Sequence, residues 1–319
     1  MNSTTNSPPR VNMNCSFESI DQIMKSLEMV IYIPVFVFGV FLNIAALVVF
    51  CSRLKKWTEA SIYMTNLALM DLILLLQLPF KLHARDNKWP AHMITFCSFL
   101  ESLYFMGMYG SIYTIACISI DRYIGLCHPL KAKWLRSKKK ARIVCAGIWA
   151  FVVLASTPVY TFHETVQEDF RCFHGFSKKG WKTGLIICLE VFGFLLPALV
   201  LVTCSVQSIR ALNKSHSANT VEKQSGTRII YSNICAFLIP FTPSHVAIFL
   251  QYLVRSEHIS DCEDTKKIAL FVQLTMSLSN ITSCLDAICY YFVVKEVRGT
   301  SRLIKRSLSR MKSSSASEN

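Results

Sequence analysis

Seven stretches, near 27–52, 60–84, 95–127, 140–162, 182–211, 227–254 and 265–293, are long and apolar enough to cross a membrane, because a helix needs about 20 mainly apolar residues to span roughly 30 Å of hydrocarbon. A backbone in lipid must satisfy its own hydrogen bonds, so only helices and closed barrels can form there. Barrel strands alternate in and out with a period of two, whereas 72–76 and 143–154 are apolar throughout. The expected class is therefore all-α, a seven-transmembrane helix bundle. Composition agrees: 52% of the 319 residues are hydrophobic and 17% charged, against about 25% charged in soluble proteins. The first apolar run continues past the roughly 7–15-residue core of a cleavable signal peptide, so the first span is expected to direct insertion. The expected division is an outer N-terminal segment 1–26, a helical domain 27–293 and a cytoplasmic tail 294–319.

The net charge of +14 suits nucleic acid, anionic lipid or a topology signal, and its distribution decides. The segments after spans 1, 3, 5 and 7 hold 21 of the 34 Lys and Arg, opposed only by Glu59, Glu222, Glu296 and Glu318. Basic loops stay cytoplasmic, so the N-terminus is expected outside and the tail inside. With the charge explained by topology, no nucleic-acid partner is expected. Two sequons, at Asn2 and Asn14, fall outside and are candidate glycosylation sites. Cys15, Cys97, Cys172 and Cys262 also lie outside, an even number that permits three pairings. The other nine cysteines read as small reduced apolar residues.

Charges inside a bilayer are costly and mark function. Asp71 in span 2 and Asp286 in span 7 are expected to face each other, with Asn43 and Ser111 nearby. The set reads either as an ion or water site, sodium in particular, or as two carboxyls sharing a proton. Asp121-Arg122-Tyr123 closes span 3, where a local Asp–Arg pair is an ordinary helix-end device. Toward the outside, Lys81, Glu101, Tyr104, Glu190, His245 and Arg255 surround an expected water-filled mouth. One reading is a Lys81–Glu101 salt bridge tying spans 2 and 3. The other is an anion site in which Lys81 and Arg255 receive a phosphate or carboxylate. Below, Phe105, Met108, Phe192, Phe194, Phe241 and Phe249 either line an apolar channel or pack the helices.

Several motifs together resemble the rhodopsin-like (class A) G-protein-coupled receptors. Gly39 and Asn43, Asn66-Leu67-Ala68 with Asp71, Cys97, Asp121-Arg122-Tyr123, Trp149, Pro197, Phe237 with Pro243, and Asp286 with Tyr290 occur in that family's order. The resemblance implies a Cys97–Cys172 disulfide, a second one joining Cys15 to Cys262, and a cytoplasmic G-protein site using Asp121, Arg122, Tyr123 and Tyr290. It also gives Phe237 and Pro243 a part in activation. Two departures stand out. Span 6 reads Pro240-Phe241-Thr242-Pro243, with Phe in place of the family's usual Trp and an extra proline. Span 7 reads Asp286-Ala287-Ile288-Cys289-Tyr290 and lacks the proline usual after its first position. A proline removes a helix hydrogen bond, so span 6 is expected to bend more than usual and span 7 less.

Within the class, Leu78-Pro79-Phe80-Lys81, Ser61-Ile62-Tyr63-Met64 and Cys289-Tyr290-Tyr291-Phe292 are similar to segments of lysophosphatidylinositol receptors. That resemblance implies an anionic lysophospholipid agonist contacting Lys81, Glu101, Tyr104, Phe105, Met108, Glu190, Phe241, His245 and Arg255. It further implies heterotrimeric G proteins of the twelve/thirteen class upstream of Rho, with the Gq class and calcium second, and arrestin as a further partner. The alternative is a receptor for small carboxylic acids such as kynurenate, whose segments resemble Trp57-Thr58-Glu59 and 285–291. A membrane enzyme or transporter is a remote alternative, since no His-Glu-x-x-His, Gly-x-Ser-x-Gly or P-loop pattern appears. No cofactor or metal centre is expected. Residues 294–308 read as a short amphipathic eighth helix on the inner leaflet.

Overall fold

The computed structural model describes residues 16–53, 57–163, 169–174, 176–214 and 220–291. Their seven apolar stretches form seven helices long enough to cross a membrane. Span 1 is Glu18–Ser52, span 2 Glu59–Asp86, span 3 Ala91–Cys127, span 4 Lys138–Thr161, span 5 Thr183–Lys214, span 6 Lys223–Arg255 and span 7 Cys262–Tyr291. Spans 2 and 3 are mostly enclosed, while spans 1, 4 and 5 turn most of their apolar surface outward, as a bundle surrounded by lipid requires. The only bridge between extended segments among the described residues joins Trp89 to Phe170. Asn2, Asn14, Cys15 and the eighth helix expected at 294–308 lie outside the described residues.

Span 1 starts at Glu18 rather than near 27. Ile20 and Met24 are buried while Glu18, Asp21 and Lys25 are exposed, so an amphipathic turn carries the helix beyond the apolar run. Helix starts follow local chemistry. Thr58 and Ser61 form a capping box at span 2, Ser137 caps span 4, and Asp261 accepts from Glu263 and Asp264 N–H at span 7. Spans 2 and 3 approach at Gly107, where a Cβ would lie 2.8 Å from the Leu74 backbone nitrogen. Any side chain there would push the two helices apart.

The helix interruptions have identifiable causes. Span 2 breaks at Gln77, because Pro79 has no N–H to give the Leu75 carbonyl. In span 5 the π turn Leu189–Leu195 releases the Phe192 carbonyl, which accepts the Tyr113 hydroxyl at 2.7 Å. Span 6 stays one helix through Pro240 and Pro243. Pro240 withholds its missing N–H from the Ala236 carbonyl, and the Thr282 hydroxyl of span 7 donates there instead at 3.2 Å. The extra proline thus binds span 6 to span 7.

Span 7 corrects the expectation of a straighter helix. Its α-helix stops at Ser279 and resumes after a turn at Asn280 and Ile281, although the customary proline is absent. The Asn280 amide donates to the Met276 and Ser277 carbonyls, and Thr275, Ser277 and Ser279 hydroxyls also donate to nearby carbonyls. Side chains compete with the backbone ladder there. Replacing Thr282 by Val should leave the Ala236 carbonyl without its donor, at a cost of about 1–3 kcal/mol. Thermal unfolding of the purified protein should show a lower Tm for Thr282→Val and near-parental behaviour for Thr282→Ser.

Candidate functional site

At the Cys97 end of the bundle, one loop is fixed by three devices. Cys97 is bonded to Cys172, Trp89 and Phe170 exchange backbone hydrogen bonds of 2.7 and 2.9 Å, and Glu101 reaches up from span 3. The Glu101 carboxylate accepts from the Phe173 N–H at 3.0 Å and lies 2.9 and 3.0 Å from His163 Nε2. Glu101 is buried, and its acceptors are occupied by the loop, so the Lys81–Glu101 bridge entertained from sequence does not form. Cys262 is disulfide-bonded, its expected partner Cys15 lying outside the described residues, and the nine cysteines expected to be reduced are free.

Lys81 has a different environment. Pro79 and the break at Gln77 turn it inward, where its Nζ stands 5.4 Å from the Tyr32 ring centroid and 5.3 Å from that of Tyr104. Each ring face attracts the ammonium. The Tyr32 hydroxyl bonds Ser277 at 2.9 Å and the Tyr104 hydroxyl meets the Met276 sulfur at 3.4 Å, so spans 1, 3 and 7 all fix the cage. No carboxylate among the described residues comes within 4.0 Å of Lys81.

Arg255 stands elsewhere, with its guanidinium 5.9 Å from the Trp181 ring centroid. It lines an open cavity of about 1170 Å³ with Arg171, Lys178 and Lys182, and Lys81 is not in that wall. The expected pairing of Lys81 and Arg255 around one phosphate is therefore not assembled.

Deeper in, an aromatic ladder replaces much of the expected channel. Phe105 stacks on Tyr109 at 6.4 Å, Tyr109 meets His245 at 6.0 Å, and His245 stacks on Phe194 at 4.4 Å. Phe194, Phe237 and Phe241 continue it at 6.0 and 5.5 Å. His245 is only 1% exposed, with Nδ1 2.9 Å from the Phe241 carbonyl and Nε2 3.5 Å from the Tyr109 hydroxyl. It belongs to the packing beneath the mouth. Met108 and Phe241 are buried in the same core, while Phe192 and Phe249 are 54% and 48% exposed on the outer surface. Phe105 and Tyr104 remain half-buried toward the cage. Glu190 sits on the span 5 π turn with one buried carboxylate oxygen lacking a donor among the described residues.

The polar core forms as the sequence suggests. Asp71 accepts from the Tyr290 hydroxyl at 2.8 Å and from Ser111 at 3.3 Å. Tyr290 also lies 3.1 Å from the Asn43 side-chain oxygen, and the Asn43 amide donates to the Gly39 and Ser283 carbonyls. Asp286 lies beside Asp71, and its two buried oxygens have no hydrogen-bond partner among the described residues. Two carboxyls in so dry a place need a shared proton or a cation. Carboxylate, amide and hydroxyl oxygens suit a hard cation.

At the opposite end, Asp121 takes a partner that the sequence reading did not name. Arg136 donates to both its oxygens at 2.8 Å from just beyond the short helix Pro129–Leu135. A Cβ at Gly125 would lie 2.7 Å from Arg136 Nη1, so that glycine clears the guanidinium's path. Arg122 and Tyr123 are half-buried beside this clamp, and Tyr123 bonds His128 at 2.9 Å. Below the core, Phe50 meets Tyr290 edge-on at 5.9 Å. The missed residues, Tyr32, His163, Trp181 and Arg136, each act through a partner distant in sequence. Only Gly125, a small residue one turn after Asp121, carries a local hint.

The sequence matches known proteins of one family. The model of the family described as 7 transmembrane receptor (rhodopsin family) matches residues 42–311. Mouse G-protein coupled receptor 55 is 41% identical over 300 residues, covering 89% of this chain and 91% of that protein. Chicken lysophosphatidic acid receptor 6 is 34% identical over 88% of this chain and 94% of its own length. Mouse G-protein coupled receptor 35 is 34% identical over 83% and 84% respectively.

Replacing Arg136 by Met should release the Pro129–Leu135 helix from Asp121, and Gly125→Val should do so by displacing the guanidinium. Amide hydrogen exchange over 129–135 should accelerate at least severalfold in both variants, with span 4 exchange unchanged.

Proposed function

The chain belongs to the rhodopsin family of seven-transmembrane receptors, a multi-pass membrane protein, and from that premise we propose that it is a plasma-membrane receptor for lysophosphatidylinositol with its N-terminus outside. The observation that carries this reading is Lys81, a caged cation with no carboxylate within 4.0 Å among the described residues. A phosphodiester is the missing counter-charge. Some relatives are named for lysophosphatidic acid, also a phosphate-bearing lipid with one acyl chain. Tyr104 would hydrogen-bond the headgroup, Glu190 accept from a headgroup hydroxyl, and Phe105 flank the start of the chain, each buried methylene adding about 0.8 kcal/mol.

Binding shifts a receptor only by its differential affinity for two states. Spans 3, 5 and 6 meet in the ladder from Phe105 to Phe241, which would carry the choice of state to span 6 around Phe237 and Pro243. At the other end Asp121, Arg122, Tyr123 and Tyr290 would receive a twelve/thirteen-class α-subunit acting on Rho, or a Gq-class one acting on calcium, and later arrestin. Asn43, Asp71, Ser111 and Asp286 would hold sodium. A second reading has its own support. Met108 and Phe241 are buried in packing, and Phe192 and Phe249 face outward, which shortens the apolar wall and favours a compact carboxylate such as kynurenate.

The test is heterotrimer dissociation in cells expressing this chain, with lysophosphatidylinositol and kynurenate titrated in parallel. The lipid should act in a dose-dependent way. Lys81→Met should raise the half-maximal lipid concentration at least tenfold, about 1.4 kcal/mol, at unchanged surface expression, and Lys81→Arg should recover part of it. Equal potency for Lys81→Met would remove Lys81 from the site, and a response to kynurenate alone would select the second reading.

A further inference from the structure

We propose that the cavity at the Cys97 end is a second anion site, separate from Lys81, for a small polyol or nucleoside bearing two or more phosphate groups. The cavity is lined by four cations, Arg171, Lys178, Lys182 and Arg255, and by one carboxylate, Glu257. None of the four has a carboxylate within 4.0 Å among the described residues. Four like charges against one carboxylate among the described residues repel one another, and a bound polyanion converts that repulsion into attraction.

A wall of cations selects a ligand made of acceptors, and phosphate oxygens are acceptors only. The arginine forks can grip such oxygens in pairs. A single phosphodiester carries one negative charge, too few for four cations.

The wall is also held in place. Trp181 supports the Arg255 guanidinium, the Thr183 and Tyr252 hydroxyls meet at 2.9 Å to join spans 5 and 6, and the Cys97–Cys172 disulfide with the Glu101–His163 contact anchors the loop. The volume, about 1170 Å³, accommodates a highly phosphorylated ring, and the cavity lies at the end that the charge distribution places outside. This inference does not rest on the lysophospholipid reading.

The test uses the full chain purified in phosphatidylcholine nanodiscs and labelled inositol hexakisphosphate as probe. Saturable binding near one per receptor is expected, weakening with salt. The triple variant Arg171→Ala/Lys178→Ala/Lys182→Ala should weaken it at least tenfold, and Lys178→Arg/Lys182→Arg should retain it. Lys81→Met should bind normally, as should Lys88→Ala/Lys266→Ala, whose cations lie outside the cavity. Arg171→Gln and Lys178→Gln, made singly, should each weaken binding severalfold even where the triple variant fails to fold. Displacement of the probe by a lysophosphatidylinositol bisphosphate would assign the site to a lipid-borne headgroup, and resistance to that lipid to a soluble solute; both uphold it. Absent saturable binding, equal loss in the Lys88/Lys266 variant, or loss in Lys81→Met would overturn it.

Discussion

A carboxylate at the centre of a membrane bundle organises this protein. Asp71 is fully buried, at a depth where an ionised side chain costs about 2.5–3.5 kcal/mol on insertion scales. Tyr290 and Ser111 answer it from spans 7 and 3, and Asn43 adds span 1 through Tyr290. Four helices are thereby held in one register. Lys81 lies ten residues further along span 2, about 15 Å on an ideal helix. Asp121 lies ten residues beyond Ser111 on span 3 in the other direction. The polar core thus stands between the caged cation and the Asp121–Arg136 clamp, and it fixes both in the same frame.

Three carbonyls released within the bundle are each met by a side chain from a neighbouring helix. Thr282 serves the Ala236 carbonyl freed by Pro240, and Tyr113 serves the Phe192 carbonyl freed by the π turn. Asn43 serves the Ser283 carbonyl just past the break in span 7. Each repair joins two spans. The breaks therefore strengthen the association of helices whose apolar surfaces gain little by leaving lipid for one another.

The seven spans and the all-α class were legible because apolar length is local, and the polar core because a carboxyl in an apolar run stands out. The bend in span 7 was not, because a proline is a local sign of a break whereas Asn280 and three hydroxyl residues bend the helix only through their own bonds to its carbonyls. Glu101 reads as a pocket acid, yet its partners His163 and Phe173 lie more than sixty residues away. His245, Phe192 and Phe249 show the same limit. A helix position is evident from sequence, but the face it presents to a particular neighbour depends on rotations set by the whole bundle.

Lys81 has no carboxylate within 4.0 Å among the described residues, and we propose that a bound ligand supplies its counter-charge. The most direct test is equilibrium binding to the purified receptor of lysophosphatidylinositol and of the monoacylglycerol with the same acyl chain, which lacks the phosphodiester. The account predicts at least tenfold tighter binding of the charged lipid, with the difference abolished in Lys81→Met. Equal affinities for the two lipids, or a preference that survives Lys81→Met, would contradict it.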